Sequence, residues 1–172
     1  MKNVLQPDAS SNTRIVLVLG GMGGTGKTQL AIAYAMRNHA SYTSVFWLNA
    51  TSEGTLKSSL RQLVRRSLTP EVERQYDDEM VHGWVSRWLS EQDNSQWLLI
   101  FDNHDEPEQY DITRFYPYGS HGSIIVTTRS PEMLQGEKMR VLPMSDEEEG
   151  MSILERRSGR TDLMAGTNVT SC

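Results

Sequence analysis

The chain predicts an α/β domain, a parallel sheet covered by helices on both faces, and three observations carry the prediction. Short apolar runs of strand length alternate with stretches whose apolar residues recur at helical spacing, the pattern of consecutive βα units. The runs Trp97 to Phe101 and Ser123 to Thr128 are nearly continuous in apolar character, as strands buried on both faces must be. At 172 residues the chain has the length of one domain with room for a core.

Taken in order, residues 1–13 are polar and without period, and read as a linker or disordered segment. Arg14 to Leu19 is the first strand, Lys27 to His39 a helix, and Val45 to Leu48 the second strand. Ser52 is placed to cap a helix whose Leu56, Leu60, Leu63, Val64 and Leu68 share one face. Thr69 to Asp78 is a polar connection into a further helix with Met80, Val81, Trp84, Val85, Trp88 and Leu89 on one side, a stripe read as packing against the sheet. Trp97 to Phe101 and Ser123 to Thr128 are the third and fourth strands. Ser130-Pro131-Glu132 reads as a cap followed by proline in the first turn of a short helix, and Met139 to Leu142 as a fifth strand. Ser145 to Glu148 has the spacing of a capping box and opens a helix through Met151, Ile153 and Leu154. The core domain thus spans 14–157, followed by a polar tail over 158–172.

Composition removes several function classes. Seventeen Lys and Arg against 22 Asp and Glu give a net charge of −5 with no basic block, so nucleic acid has no electrostatic case as the main ligand. Apolar runs such as Ile15 to Leu19 and Trp97 to Phe101 fall far short of the roughly 20 residues of a membrane span. The first residues carry no secretory pattern, and the single cysteine, Cys172, forms no internal disulfide, so a cytoplasmic location is expected. His39, His82, His104 and His121 show no metal-ligand spacing.

Chemistry concentrates at Gly20-Gly21-Met22-Gly23-Gly24-Thr25-Gly26-Lys27-Thr28, which contains the phosphate-loop pattern G-x-x-x-x-G-K-[ST] from Gly21 onward. It follows a predicted strand and opens a predicted helix, the context the pattern requires, because successive N–H groups must curl around an anion at a helix N-terminus. Gly21, Met22, Gly23, Gly24, Thr25, Gly26, Lys27, Thr28 and Gln29 are the expected nucleotide-binding residues. Lys27 would reach the β- and γ-phosphates, and the Thr28 hydroxyl would ligate Mg²⁺. Asp102, directly after the apolar third strand, is the natural second magnesium residue, the Walker B acid. Arg129 ends the fourth strand, so a parallel sheet delivers it to the same edge, where it reads either as a γ-phosphate sensor or as half of a surface ion pair. Lys27, Asp102 and Arg129 are the catalytic candidates.

Together with Val45-Phe46-Trp47-Leu48-Asn49-Ala50, Trp97 to Asn103 and Gly122 to Arg129, the phosphate loop resembles the NB-ARC family of STAND-class signalling ATPases, in wording closest to its fungal NOD-like receptor branch. The resemblance runs from about Arg14 to Arg157. It implies a P-loop NTPase three-layer α/β/α sandwich with a five-stranded parallel sheet in the order 5-1-4-3-2. It also implies a switch in signal transduction: ADP holds a closed state, and exchange for ATP opens the molecule and permits homo-oligomerisation. By the same resemblance Gly21 to Thr28 bind phosphates, Thr28 and Asp102 hold Mg²⁺, and Arg129 is the sensor arginine.

Three departures bear on that reading. Nothing in residues 1–13 matches the Val-Gly-Arg-like segment that helps hold adenine in the family. Asn103 stands where a hydrolytic relative carries a carboxylate, and an amide accepts no proton, so at most slow ATP hydrolysis is expected, with Asp105 the nearest substitute base. The chain stops before the family's downstream Gly-Leu-Pro-Leu segment and winged-helix histidine, so by the resemblance a fragment or truncated product without sensor and effector domains is expected. The alternatives are a non-enzymatic interaction module that binds nucleotide weakly, and a small-molecule P-loop kinase using Arg156, Arg157 and Arg160 as lid arginines. A GTPase lacks its Asn-Lys-x-Asp and Asp-x-x-Gly signatures here.

Overall fold

A computed structural model describes Leu5 and residues 13–65 and 75–143. It contains one five-stranded parallel sheet: β1 (Ile15–Gly20), β2 (Ser44–Asn49), β3 (Trp97–Asp102), β4 (Ser123–Thr128) and β5 (Glu137–Arg140), with the spatial order β2-β3-β4-β1-β5. This is the expected order, read from the other edge. Helices α1 (Lys27–Arg37), α2 (Glu53–Arg65) and α3 (Asp78–Leu89) complete the regular elements among the described residues. The chain divides into two compact units, Met1–Val141 and Leu142–Cys172, and every element named here lies in the first.

Strand alternation sorts the core into two layers. Val18, Leu99, Phe101, Ile124 and Val126 face α2 through Leu56, Leu60 and Val64, and α3 through Val81, Val85 and Leu89. Leu17, Leu19, Leu98, Ile100 and Ile125 face the other way, against Ala31 and Tyr34 of α1. Leu5 is fully buried in this second layer, and its carbonyl accepts hydrogen bonds from the hydroxyls of Tyr34 and Tyr42, at 3.3 and 2.7 Å. All residues of β3 and β4 are buried, as continuous apolar runs predict. β2 is an edge strand, so Val45 and Trp47 keep 40% and 38% of their surface in solvent and only Leu48 is buried.

The register brings the strands' C-terminal ends together: Gly20 lies opposite Thr128, and Asn49 opposite Asp102. β4 stands between β1 and β3, so the loops leaving all three open on one edge, where ligands of open parallel sheets bind.

Element boundaries depart from the sequence expectation for local reasons. α1 ends at Arg37, because the Asn38 side chain donates to the Tyr34 carbonyl and diverts the chain into a 3₁₀ turn at His39–Ser41. β5 starts at Glu137, two residues early, as an edge strand paired with β1 alone whose residues are mostly exposed, which removes any apolar run from its sequence. Met80 points outward, 48% exposed, in the first turn of α3, where the Asp77 carboxylate caps its N–H. Ser130 precedes a 3₁₀ turn at Pro131–Met133 without capping it; no side-chain cap bond forms. Ser52 does cap α2: its hydroxyl accepts from the Thr55 N–H, and the Thr55 hydroxyl accepts from the Ser52 N–H in return. Leu68, the Ser145 capping box and Arg156, Arg157 and Arg160 lie outside the described residues.

Candidate functional site

The loop between β1 and α1 takes the conformation that its glycines allow. Gly24 and Gly26 have φ of 80° and 86°, in the left-handed region that a β-carbon disfavours. Gly26 is the N-cap of α1 and brings no side-chain cap, and the first turn carries no acidic residue. Lys27 instead places a cation at the positive end of the helix, against the usual preference, leaving both free N–H groups and positive charge for an incoming anion. Its ammonium is 2.7 Å from the Gly21 carbonyl oxygen and 2.9 Å from that of Met22, and the Thr25 hydroxyl closes the loop on the same Met22 carbonyl at 3.0 Å.

A cleft of about 300 Å³ opens over this loop, lined by Gly23, Gly24, Thr25, Gly26, Lys27, Thr28, Gln29, Asn103, Asp105 and Arg129. Gly21 and Met22 contribute carbonyls to Lys27 but do not line it. Gly21 is glycine for packing: a β-carbon there would come within 2.4 Å of the Val141 carbonyl oxygen. A larger cleft, about 1080 Å³, lies between the β3–β4 connection and the strands β1 and β5. Its one arginine, Arg14, is already engaged, donating to the Pro117 and Gly119 carbonyls and lying over the Tyr116 ring.

At the end of β3 the Asp102 carboxylate is buried, and its Oδ1 accepts from two hydroxyls, Thr28 at 2.8 Å and Thr127 at 2.7 Å. The Thr127 hydroxyl in turn accepts from the Asn103 N–H at 2.9 Å, which holds the turn after β3 with Asn103 at φ 65°. Thr127 is the member of this network that motif spacing did not single out. Its signal was its place in Thr127-Thr128-Arg129 at the end of a buried strand, where the second residue from the end faces the neighbouring strand's carboxylate.

Arg129 leaves β4 toward the loop. Its guanidinium lies 3.5 to 3.8 Å from where a Gly23 β-carbon would stand, and its Nε donates to Asp105 Oδ2 at 2.8 Å. Of the two alternatives read from sequence, the ion pair is present, and the same side chain borders the cleft. Asp105 is not a free base, because one oxygen is bonded to Arg129 and the other is enclosed without solvent contact. His104 is buried, neither ring nitrogen meets a hydrogen-bond partner of good geometry among the described residues, and its ring packs edge-on to Tyr110. Burial lowers its pKa from the ordinary value; the nearby Ala50 carbonyl and the Asp105, Asp111 and Glu108 carboxylates only partly oppose this.

The chain is similar to several known proteins. The NB-ARC domain model matches residues 1–163. A nucleotide-binding leucine-rich repeat (NLR)-like protein of Hyaloscypha variabilis is 24% identical over 81% of this chain, which spans 17% of that relative's length. A chain from the structure of Drosophila ORC bound to DNA shares the fold, with a TM-score of 0.58 and 19% identity over 92% of this chain and 46% of that one. A STAND protein with a tetratricopeptide repeat sensor from Pyrococcus horikoshii aligns at a TM-score of 0.43 and 18% identity, over 87% of this chain and 24% of that one.

Proposed function

Because the chain belongs to the NB-ARC domain family, we propose that it is the ADP/ATP-binding switch module of a STAND-type, NOD-like signalling receptor, working in the cytoplasm with slow or absent hydrolysis. The observation that carries this is the contact between Thr28 and Asp102, 2.8 Å apart at the mouth of the phosphate loop. A hydroxyl and a carboxylate so placed are the hard oxygen donors that Mg²⁺ takes, usually with several waters. Thr28 and Asp102 would hold the ion, which would supply charge neutralisation for the terminal phosphates.

The protein's own contribution is to bind and orient. The uncapped N–H groups of α1 and the Lys27 ammonium receive the phosphate chain, Lys27 giving up its loop carbonyls for phosphate oxygens. Arg129, which lies beside Gly23 and lines the same cleft, would meet a terminal phosphate there and so distinguish triphosphate from diphosphate. Neither Asn103, an amide, nor Asp105, held by Arg129, takes a proton from an attacking water, which suits a timed switch better than a turnover enzyme. The sensor and effector functions belong to the remainder of a longer protein, and assembly into homo-oligomers belongs to its ATP state.

The test is calorimetric titration of the purified chain with ADP and ATP, with and without Mg²⁺, with GTP for comparison and Lys27→Ala as control. Saturable adenine-nucleotide binding that Lys27→Ala abolishes is the expected result. A folded wild-type chain that binds neither nucleotide would overturn the reading.

A further inference from the structure

We propose that Asp105 is the positioning residue for Arg129: it fixes the guanidinium by its Nε so that the terminal nitrogen Nη2 faces the phosphate loop, and thereby sets how well the site tells ATP from ADP. The inference rests on the nucleotide-site reading above and extends it to a residue outside the phosphate-loop, magnesium and sensor positions.

The geometry divides the guanidinium in two. Asp105 Oδ2 takes the Nε–H at 2.8 Å, on the side facing the β3–β4 connection. The terminal nitrogen Nη2 is the part closest to Gly23, 3.5 Å from where a β-carbon there would stand, and the whole group borders the cleft with Lys27 and Thr28. A planar fork held at Nε keeps both terminal nitrogens available for two oxygens of one phosphate.

Asp105 is suited to hold rather than to be held. Its side chain is mostly enclosed, and Oδ1 is buried without a hydrogen-bond partner among the described residues, so its charge depends on Arg129 for compensation. Arg129 is 63% exposed at the side chain and would otherwise sample many rotamers. An arginine free in solvent must lose that freedom when it meets a phosphate, whereas one already held has lost it beforehand. The contribution is expected to fall on the γ-phosphate, because the groups placed on the loop itself are the α1 N–H groups and the Lys27 ammonium.

The test is a double-mutant cycle on the full chain: wild type, Asp105→Asn, Arg129→Ala and the double variant, with Asp105→Ala as a second probe, each titrated with Mg-ATP and Mg-ADP. Asp105→Asn and Asp105→Ala are expected to weaken ATP binding about two- to fivefold, the range of partly exposed ion pairs, and to leave ADP binding unchanged, which also reports that each variant folds. In the Arg129→Ala background the Asp105 effect is expected to vanish. An equal loss for both nucleotides, a gain in ATP affinity, or an undiminished effect without Arg129 would overturn the proposal while leaving the nucleotide site intact. Failure of wild type to bind either nucleotide would overturn both.

Discussion

Thr28 and Asp102 are 74 positions apart in the chain, and their side chains meet at 2.8 Å. One stands in the first turn of α1 and the other ends β3, two strands away, so the contact exists only because β4 separates β1 from β3 and all three end on the same edge. The sheet order is what turns two sequence motifs into one site.

The Thr127 hydroxyl donates to Asp102 and accepts from Asn103. Thr127→Val removes both bonds at nearly constant volume. A residue that orients a metal-holding carboxylate typically contributes ten- to a hundredfold in metal affinity. We expect the Mg²⁺ needed for half-maximal ATP binding to rise about tenfold, measured by magnesium titration at fixed ATP, with metal-free ADP binding little changed.

In the proposed reading, Asn103 is an amide where a hydrolytic site would carry a proton acceptor. General bases contribute roughly 10² to 10⁴ in rate. Asn103→Asp is therefore expected to raise phosphate release at least tenfold above wild type under saturating Mg-ATP, while ATP affinity stays within a factor of a few.

Gly122 enters β4 at φ 83°, and a β-carbon there would lie 2.3 Å from the ring of Trp97, which is fully buried and donates through its indole N–H to the Leu89 carbonyl. Gly122→Ala combines a disfavoured φ with overpacking against a ring that cannot move away. The expected cost is about 3 kcal/mol of stability, read as a shift in the urea midpoint with unchanged slope.

His82 is half-buried on α3, edge-on to Phe115 and Tyr118, with Nε2 buried and unpartnered among the described residues. Burial, reinforced by Arg114 and opposed by Glu79, lowers its pKa from the ordinary 6.5. The unfolded chain then binds a proton that the native state refuses, so the contribution to stability is complete above pH about 6.5 and is lost as pH falls toward the lowered native value. His104, also lowered by burial, acts in the same direction. The melting temperature is expected to drop between pH 7 and pH 5, and His82→Phe, which keeps the ring and removes the proton site, to make that drop shallower.

Much of this was legible in the sequence wherever one physical constraint acted alone. Trp97 to Phe101 and Ser123 to Thr128 show strands because both faces are buried, and Gly24 and Gly26 show the loop because their φ values demand glycine. β5 was misplaced by two residues because an edge strand with one neighbour carries no apolar signature. Met80 was assigned to the buried stripe because helical spacing cannot say where the layer it packs against stops. The Thr127 link and the Arg129–Asp105 pair needed the register of β3 against β4, which no local pattern encodes.

The most direct test of the central claim is hydrogen exchange of the full chain's backbone amides with and without Mg-ADP. The account predicts new protection concentrated at residues 23–29, where uncapped N–H groups would bond to phosphate, with smaller protection around 102–105, and none of it in Lys27→Ala. Saturating Mg-ADP that leaves the amides of 23–29 exchanging as before, or that protects only the larger cleft around Tyr110 and Gly136, would contradict it.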